Sequence, residues 1–336
     1  MNIAIIYNLS EGLRKGTEQD KLADVEVLDT AQAVRRALIR HGNEVSTVNV
    51  CKNGLADLKS FDAIFNLAES TLGSDATEDA IAQKLEALAI PFTGSNAEAL
   101  RRCADKELTK QLLIGAGIPT PNFQVFRGQT EIRTEMAYPL IVKPVHEDGS
   151  IGITEDSIVC DRAGLERKVA EILRVYREPA LVEEYIDGRE INAAVLGNGI
   201  RASVLPLSEI VFTMSAGQPR IVSFNAKWRD DTDAYKNTNN SCPAALDAET
   251  TAAISELAAR ACRIMGCRDY ARVDIRVKET QLYVLEVNPN PCINPVGAGF
   301  IVSAQAAGFS YDDVVNTVMQ TALARMPVIP QEISVG

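Results

Sequence analysis

The sequence predicts a mixed α/β (α+β) protein of more than one unit. Three observations carry the expectation. Over roughly the first hundred residues, apolar β-branched runs alternate with amphipathic stretches in the order β-α-β-β-α. In the middle, strand-like runs end in glycine-containing loops and are followed by helical periodicity. Toward the far end, residues 268–288 read as a long two-stranded hairpin. A chain of 336 residues is too long for one ordinary core, and the pattern divides it into residues 1–95, 96–182 and 183–336.

Taken in order, NIAIIYN (2–8) is a short buried strand, and VEVLDTAQAVRRALIRHG (25–42) is a helix with a glycine stop. EVSTVNV (44–50) and FDAIFNL (61–67) are further strands, and TEDAIAQKLEALAI (77–90) is a second helix. SNAEALRRCADKELTKQLLIGAG (95–117) reads as one helix. YPLIVKP (138–144) is a strand that runs into HEDGSIGI (146–153), and DRAGLERKVAEILRVY (161–176) is an amphipathic helix. PALVEEYIDGREINAAVLG (179–197) reads as strand, turn at Asp187-Gly188, strand. ETTAAISELAARACRIMG (249–266) is the helix before the hairpin. The polar stretch 225–243, NAKWRDDTDAYKNTNNSCP, is too long for an ordinary connection and is read as a lid or a disordered loop.

Composition excludes several classes of function. A net charge of −11 argues against general nucleic-acid binding, which needs a basic footprint, while leaving room for a local site for a phosphorylated ligand. Seven scattered cysteines without a C-x-x-C fit reduced thiols in a cytoplasm better than disulfides or zinc. MNIAIIYN lacks the features of a signal peptide, and no apolar run is long enough to span a membrane, so a cytoplasmic location is expected. With only His41 and His146, a Ser-His-Asp hydrolase or a His-rich metal centre is hard to build. Carboxylates, lysines and arginines are left to carry the chemistry.

The hairpin concentrates such residues. With YARVDIRV paired to QLYVLEVN about a turn near Thr280, residue 274 faces 286 and residue 272 faces 288. Val273, Ile275, Val277, Tyr283, Leu285 and Val287 then share the core face. Arg272, Asp274, Glu286 and Asn288 share the other. Hard oxygen donors of this kind suit Mg²⁺, which keeps several waters and binds substrate phosphates. A solvated hairpin face with surface ion pairs is the plainer alternative, and the stiff NPNP exit favours a held substrate. Lys143, ending a strand before a loop with Gly149, Ser150 and Gly152, offers charge and backbone N–H groups for phosphates. Neither a P-loop nor a G-x-G-x-x-G fingerprint is present. Glu183, Glu184 and Glu190 are candidates for adenine or ribose contacts, or simply an acidic turn.

These pieces, in this order, resemble the ATP-grasp superfamily and, within it, the D-alanine–D-alanine ligase family. The resemblance rests on IPFTGSNAEALRRCADKELTKQLLIGAGIPTP (90–121), PLIVKPVHEDGSIGI (139–153), LVEEYIDGREI (181–191), AKW…CPAAL (226–246) and ARVDIRV…LYVLEVNPNP (271–291). It implies an ATP-grasp fold behind an N-terminal Rossmann-like domain. It also implies roles. Lys106 and Lys143 would hold the ATP phosphates, with the loop from Glu147 through Gly152 closing over them. Glu183 would face the adenine, the Glu184–Tyr185–Ile186 backbone would make the hinge contact, and Glu190 would bind the ribose. Lys227 would reach the γ-phosphate from the lid. Asp274, Glu286 and Asn288 would bind two Mg²⁺ ions, with Mn²⁺ as an alternative occupant, and Arg272 would stabilise an acyl phosphate and tetrahedral intermediate. Family members are often homodimers, and the same is expected here.

The resemblance weakens where the amino-acid substrates would sit. Glu26 is the nearest candidate for a glutamate missing from the usual glycine-rich start, and FNLAES leaves Asn66 and Glu69 in place of a His-Gly. Gly149 stands for a serine and Trp228 for a tyrosine; PCINP (291–295), with Cys292 and Ile293, replaces a stretch that is usually glycine-methionine-threonine, and Asn290 before it is a further substrate candidate. The expectation is therefore an ATP-dependent carboxylate–amine ligase acting on small acids and amines other than D-alanine. A true D-alanine–D-alanine ligase, a nucleotide-binding protein without turnover and a small-molecule kinase remain alternatives on the same fold.

Overall fold

The computed structural model describes residues 1–9, 12–70, 72–73, 77–128, 132–215 and 217–325. The last residues of the expected third unit, 326–336, lie outside them. The chain opens with β1 (Asn2–Tyr7), α1 (Lys21–Arg40), β2 (Glu44–Asn49), α2 (Val50–Asn53), β3 (Ala63–Asn66) and α3 (Glu78–Leu88). The three strands form a parallel sheet in the order β2-β1-β3. Parallel sheets are covered on both faces, which explains why Ile3, Ala4, Ile5 and Ile6 are all buried. Ile3 and Ile5 pack with Val34 and Leu38 of α1, and Ala4 and Ile6 pack with Ile81 and Leu85 of α3.

Next come α4 (Ala97–Ala104) and α5 (Lys106–Gly115). The single helix expected over 95–117 is broken at Asp105, whose extended backbone and side chain cap α5 by accepting from the Leu108 N–H at 3.0 Å. The break puts Lys106 in the first turn of a new helix. β4 (Phe123–Phe126), β5 (Leu140–Pro144), β6 (Ile158–Val159), α6 (Arg162–Val175) and β7 (Ala180–Glu184) follow. Their strands make an antiparallel sheet in the order β4-β7-β5-β6, and Leu165, Val169 and Ile172 of α6 pack into its core.

The remainder is β8 (Arg189–Leu196), β9 (Ser203–Val204), β10 (Ser208–Phe212), α7 (Phe224–Trp228), α8 (Asp233–Lys236), β11 (Thr238–Ser241), α9 (Ala248–Met265), β12 (Tyr270–Lys278), β13 (Gln281–Asn288), α10 (Gly299–Ala306) and α11 (Tyr311–Leu323). Its sheet runs β11-β10-β8-β12-β13, with β9 on β8. β7 and β8, adjacent in sequence across Asp187-Gly188, do not pair with each other but lie in different sheets. The 225–243 stretch is not a bare loop. It forms α7, α8 and the edge strand β11, which pairs antiparallel with β10.

The hairpin departs from its expected register in one half. Near the site, Arg272 faces Asn288 and Asp274 faces Glu286, as the alternation requires. Beyond a bulge, Ile275 faces Val284 and Lys278 faces Gln281. The extra residue is Leu285. Val284 therefore takes the buried core position, while Leu285 turns to the cleft, correcting its expected place in the core.

Two packing features cross the chain. α10 and α11 return to the first sheet, where Phe300, Val314 and Val318 share a core with Ile3, Ile5 and Leu38. The segment after β1 reaches the middle of the chain: Gly16 N–H donates to Val175 O at 3.0 Å, Arg14 N–H donates to Leu72 O at 2.9 Å, and Lys15 pairs with Glu147.

Candidate active site

A cleft of about 790 Å³ lies between the two antiparallel sheets. One wall is β5 and the loop after it, bringing Lys143, Glu147, Gly149 and Ser150. The facing wall is β8, β12 and β13. Register places Asn192, Asp274 and Glu286 in one row across these strands, with Glu190 and Arg276 in the next. The lid side brings Lys227 and Trp228, and α5 brings Lys106.

The oxygen-donor row is tightly organised. Asp274 accepts two bonds from Arg272, at 2.7 and 2.8 Å, one from Asn192 Nδ2 at 2.9 Å and one from Asn288 Nδ2 at 3.1 Å. Burial opposes the charge on Arg272, yet Asp274 and Glu286 together hold its guanidinium above its ordinary pKa. Glu286 lies 3.5 Å from Lys106 Nζ, whose charge is likewise favoured, against burial, by the surrounding carboxylates. Among the described residues no three His, Cys, Asp or Glu side chains gather into a metal site. The donor set is two facing carboxylates plus the Asn288 carbonyl, which points away from Asp274 when the amide nitrogen points toward it. Such a set fits an ion that takes its remaining ligands from water and phosphate, as Mg²⁺ does.

Sequence reasoning missed Asn192 and Arg276. Arg276 pairs with Glu190 at 2.7 Å, and burial still holds the Glu190 carboxyl above the ordinary range. The signal was available, because Arg276 shares strand parity with Arg272 and Asp274, and Asn192 shares it with Glu190.

Glu183, expected to face the adenine, is anchored by lysines. Its buried carboxylate sits between Lys110 and Lys143, 2.5 Å from Lys143 Nζ. Burial would raise its pKa, but the two lysines hold it down at about 2. Glu183 thus fixes Lys143 at the cleft wall. Of the connection between the sheets, Glu184 N–H donates to Asn122 O and Tyr185 N–H to Pro139 O, while Ile186 is buried. A hinge contact to a base would fall to the Ile186 N–H and to carbonyls.

The loop after β5 and the lid are in contact. Trp228 Nε1 donates to Gly149 O at 2.8 Å, and Ser150 Oγ donates to Val222 O at 2.7 Å. Gly149 has φ +59, and a Cβ there would lie 3.7 Å from the indole and 3.8 Å from Lys227 Nζ. Gly152 packs against Pro144 and Tyr176 so closely that a side chain would collide. Lys106 Nζ donates to the Glu147 carbonyl, and burial raises the Glu147 carboxyl to about 7 despite Lys15.

At the end of the cleft toward the first sheet, a small cavity is lined by Glu26, Asn66, Glu69, Glu78, Asn290, Cys292 and Ile293, among others. Asn290 is a strut. It accepts from Ser95 N–H and donates to Glu78, both within 2.8 Å. Ile293 is buried in the first core. Burial, with Glu26 and Glu69 nearby, pushes the Cys292 thiol up to about 12, so it is not a nucleophile at neutral pH.

The family described as D-ala D-ala ligase C-terminus matches residues 112–320. The D-alanine–D-alanine ligase of Bordetella pertussis is 32% identical over 306 residues, covering 89% of this chain and 91% of that one. The chain belongs to the D-alanine–D-alanine ligase family. Membership makes it an ATP-dependent, ADP-forming ligase of the ATP-grasp type. An uncharacterized protein of Sinorhizobium fredii, y4sG, is 35% identical over 263 residues, 78% of this chain and 75% of its own. The fold agrees. A structure of D-alanine–D-alanine ligase from Bacillus anthracis complexed with ATP superimposes with a TM-score of 0.75 at 23% identity, over 96% of this chain and 98% of that one. No helix among the described residues is long and apolar enough to cross a membrane.

Proposed function

We propose that this family member joins a carboxylate to an amine through an acyl phosphate, and that its substrates are amino acids or amino-acid-like metabolites other than D-alanine. The observation that supports the reading is the meeting in one cleft of two lysine-bearing walls with the Arg272–Asp274–Glu286–Asn288 row. Lys106 and Lys143 would bind the ATP phosphates under the loop from Glu147 to Gly152, and Lys227 would reach the terminal phosphate. Asp274, Glu286 and Asn288 would hold Mg²⁺, which supplies charge neutralisation on the phosphates when bound. The substrate carboxylate oxygen takes the γ-phosphoryl group, releasing ADP. The amine then adds to the activated carbonyl, losing a proton to solvent, and inorganic phosphate leaves as the amide forms. Arg272, kept charged by its neighbours, faces the charge that develops on the carbonyl oxygen. The lid contact between Trp228 and Gly149 would exclude water from the acyl phosphate. A homodimer and a cytoplasmic location belong to the same proposal, by analogy with the family.

Substrates other than D-alanine are supported by the small cavity. Its wall of glutamates, Asn66 and Cys292 differs from the pattern that the resemblance implies. The test is ADP release with Mg²⁺-ATP against D- and L-amino acids, singly and in pairs, with products weighed by mass spectrometry. Turnover with acid–amine pairs that exclude D-alanine is expected. A D-alanyl dipeptide from D-alanine alone would overturn the substrate reading and leave the ligase reading standing.

A further inference from the structure

The small cavity carries a more specific inference, which rests on the ligase reading and names its substrate class. Three carboxylates converge on it. Glu26 comes from α1, Glu69 from the loop after β3 and Glu78 from the start of α3. Among the described residues, no Lys, Arg or His lines it. Among the described residues, the carboxylates of Glu26 and Glu78 hydrogen-bond to neutral groups: the Cys292 thiol at 3.5 Å and the Asn290 amide at 2.7 Å. Asn66 adds a second, independent sign. It is 1% exposed, its Oδ1 accepts from Ala68 N–H at 3.0 Å, and its Nδ2 has no partner among the described residues. An alanine methyl would satisfy none of these groups, and buried polar atoms without partners are costly.

Size narrows the occupant. The cavity measures about 20 Å³ and shares Glu26, Glu69, Glu78 and Cys292 with the 790 Å³ cleft into which it opens. That is room for one water-sized head group, such as an ammonium, with the rest of the ligand in the cleft. Glu26 and Glu78 by themselves outnumber one ammonium, and a second cationic nitrogen on the same molecule reduces that imbalance.

We propose that this cavity seats a side-chain ammonium, so that one substrate of the ligation is a diamino acid or a comparably basic amino acid. The Asn66 N–H would then be met by a substrate oxygen or by a water carried with the head group.

The test compares 2,3-diaminopropionate, 2,4-diaminobutyrate, ornithine and lysine with neutral partners of similar size (alanine, 2-aminobutyrate, norvaline and norleucine), both enantiomers of each. ADP release is measured with Mg²⁺-ATP, and thermal shift is measured without turnover. A diamino acid is expected to have a KM roughly 10- to 100-fold below its neutral partner, the range for charge-assisted hydrogen bonds. Glu26→Gln, on a helix surface, and Glu78→Gln should each erase most of that preference, acting on KM more than on kcat. Equal or better use of the neutral acids would overturn the inference while the ligase stands. Thermal stabilisation by a diamino acid in the wild type, lost in Glu26→Gln and without ADP release from any acid, would sustain the cavity assignment and overturn the ligase reading instead. The absence of both turnover preference and binding would overturn the inference.

Discussion

Glu183→Gln removes a carboxylate held between two lysines. The side chain is 1% exposed, Lys110 is fully buried, and Lys143 is 7% exposed. Relative to an ordinary 4.5, a carboxyl held at about 2 corresponds to about 3 kcal/mol of stabilisation of its charged form. Lys110 argues for a smaller net figure, because burial pulls its own pKa down in spite of Glu183. The trio as a whole is therefore worth less than the glutamate alone implies. Breaking it is another matter, since two buried ammonium groups would be left facing each other. We expect Glu183→Gln to lose about 3–5 kcal/mol in urea unfolding at pH 7, the usual range for removing one partner of a buried pair. The sign with pH follows from the depressed carboxyl. Its contribution is complete above about 4.5 and fades as pH falls toward about 2, so the gap between wild type and variant should narrow over that window. A loss below about 1 kcal/mol, or a gap unchanged down to pH 3, would refute the reasoning.

Other consequences are equally open to measurement. Trp228→Phe keeps the ring but removes the donor to Gly149 O; kcat should fall by about fivefold, the worth of one hydrogen bond, with folding intact by circular dichroism. Gly149→Ala meets only ordinary contacts, but φ +59 strains it, so the KM for ATP should rise by a few-fold, of the order of a 1 kcal/mol strain. Asp274→Asn and Glu286→Gln should abolish ADP release; Glu286→Gln, at a half-buried cleft position, should leave the melting temperature within a few degrees, whereas Asp274→Asn should also lower it, because Arg272 loses the charge of its bidentate partner; normal turnover would remove them from the site. Arg325→Ala should cost about 3–5 kcal/mol in thermal or urea unfolding, since Asp269 is fully buried and takes two bonds from that guanidinium at 2.8 and 2.9 Å.

What the sequence could reveal depended on range. Strand alternation is local, so the pairing of Asp274 with Glu286 and the shared face of Arg272 and Asn288 were legible. The bulge at Leu285 was not. A turn one residue tighter than expected and one extra residue beyond it cancel near the site, leaving no trace in the apolar pattern. The break at Asp105 had a signature, an acidic cap before a lysine-rich turn, but helical periodicity runs through it and hides it. The lysine partners of Glu183 were not legible because they come from elsewhere: Lys143 from the neighbouring strand and Lys110 from a helix far back in the chain. Asn66 and Cys292 were marked only as departures from a family pattern, and the burial that gives them meaning needed coordinates.

The shared core of the first sheet and the last two helices bears on how the specificity of this enzyme could be changed. Ile3, Val34 and Leu38 pack with Phe300, Val314 and Val318, so the segment bearing Glu26 and Glu69 is stitched to the opposite end of the chain. A chimera that exchanged only the leading residues with a relative would set foreign apolar side chains against α10 and α11. Grafts that carry both ends as one cassette, joined to an unchanged middle, keep this shared core intact.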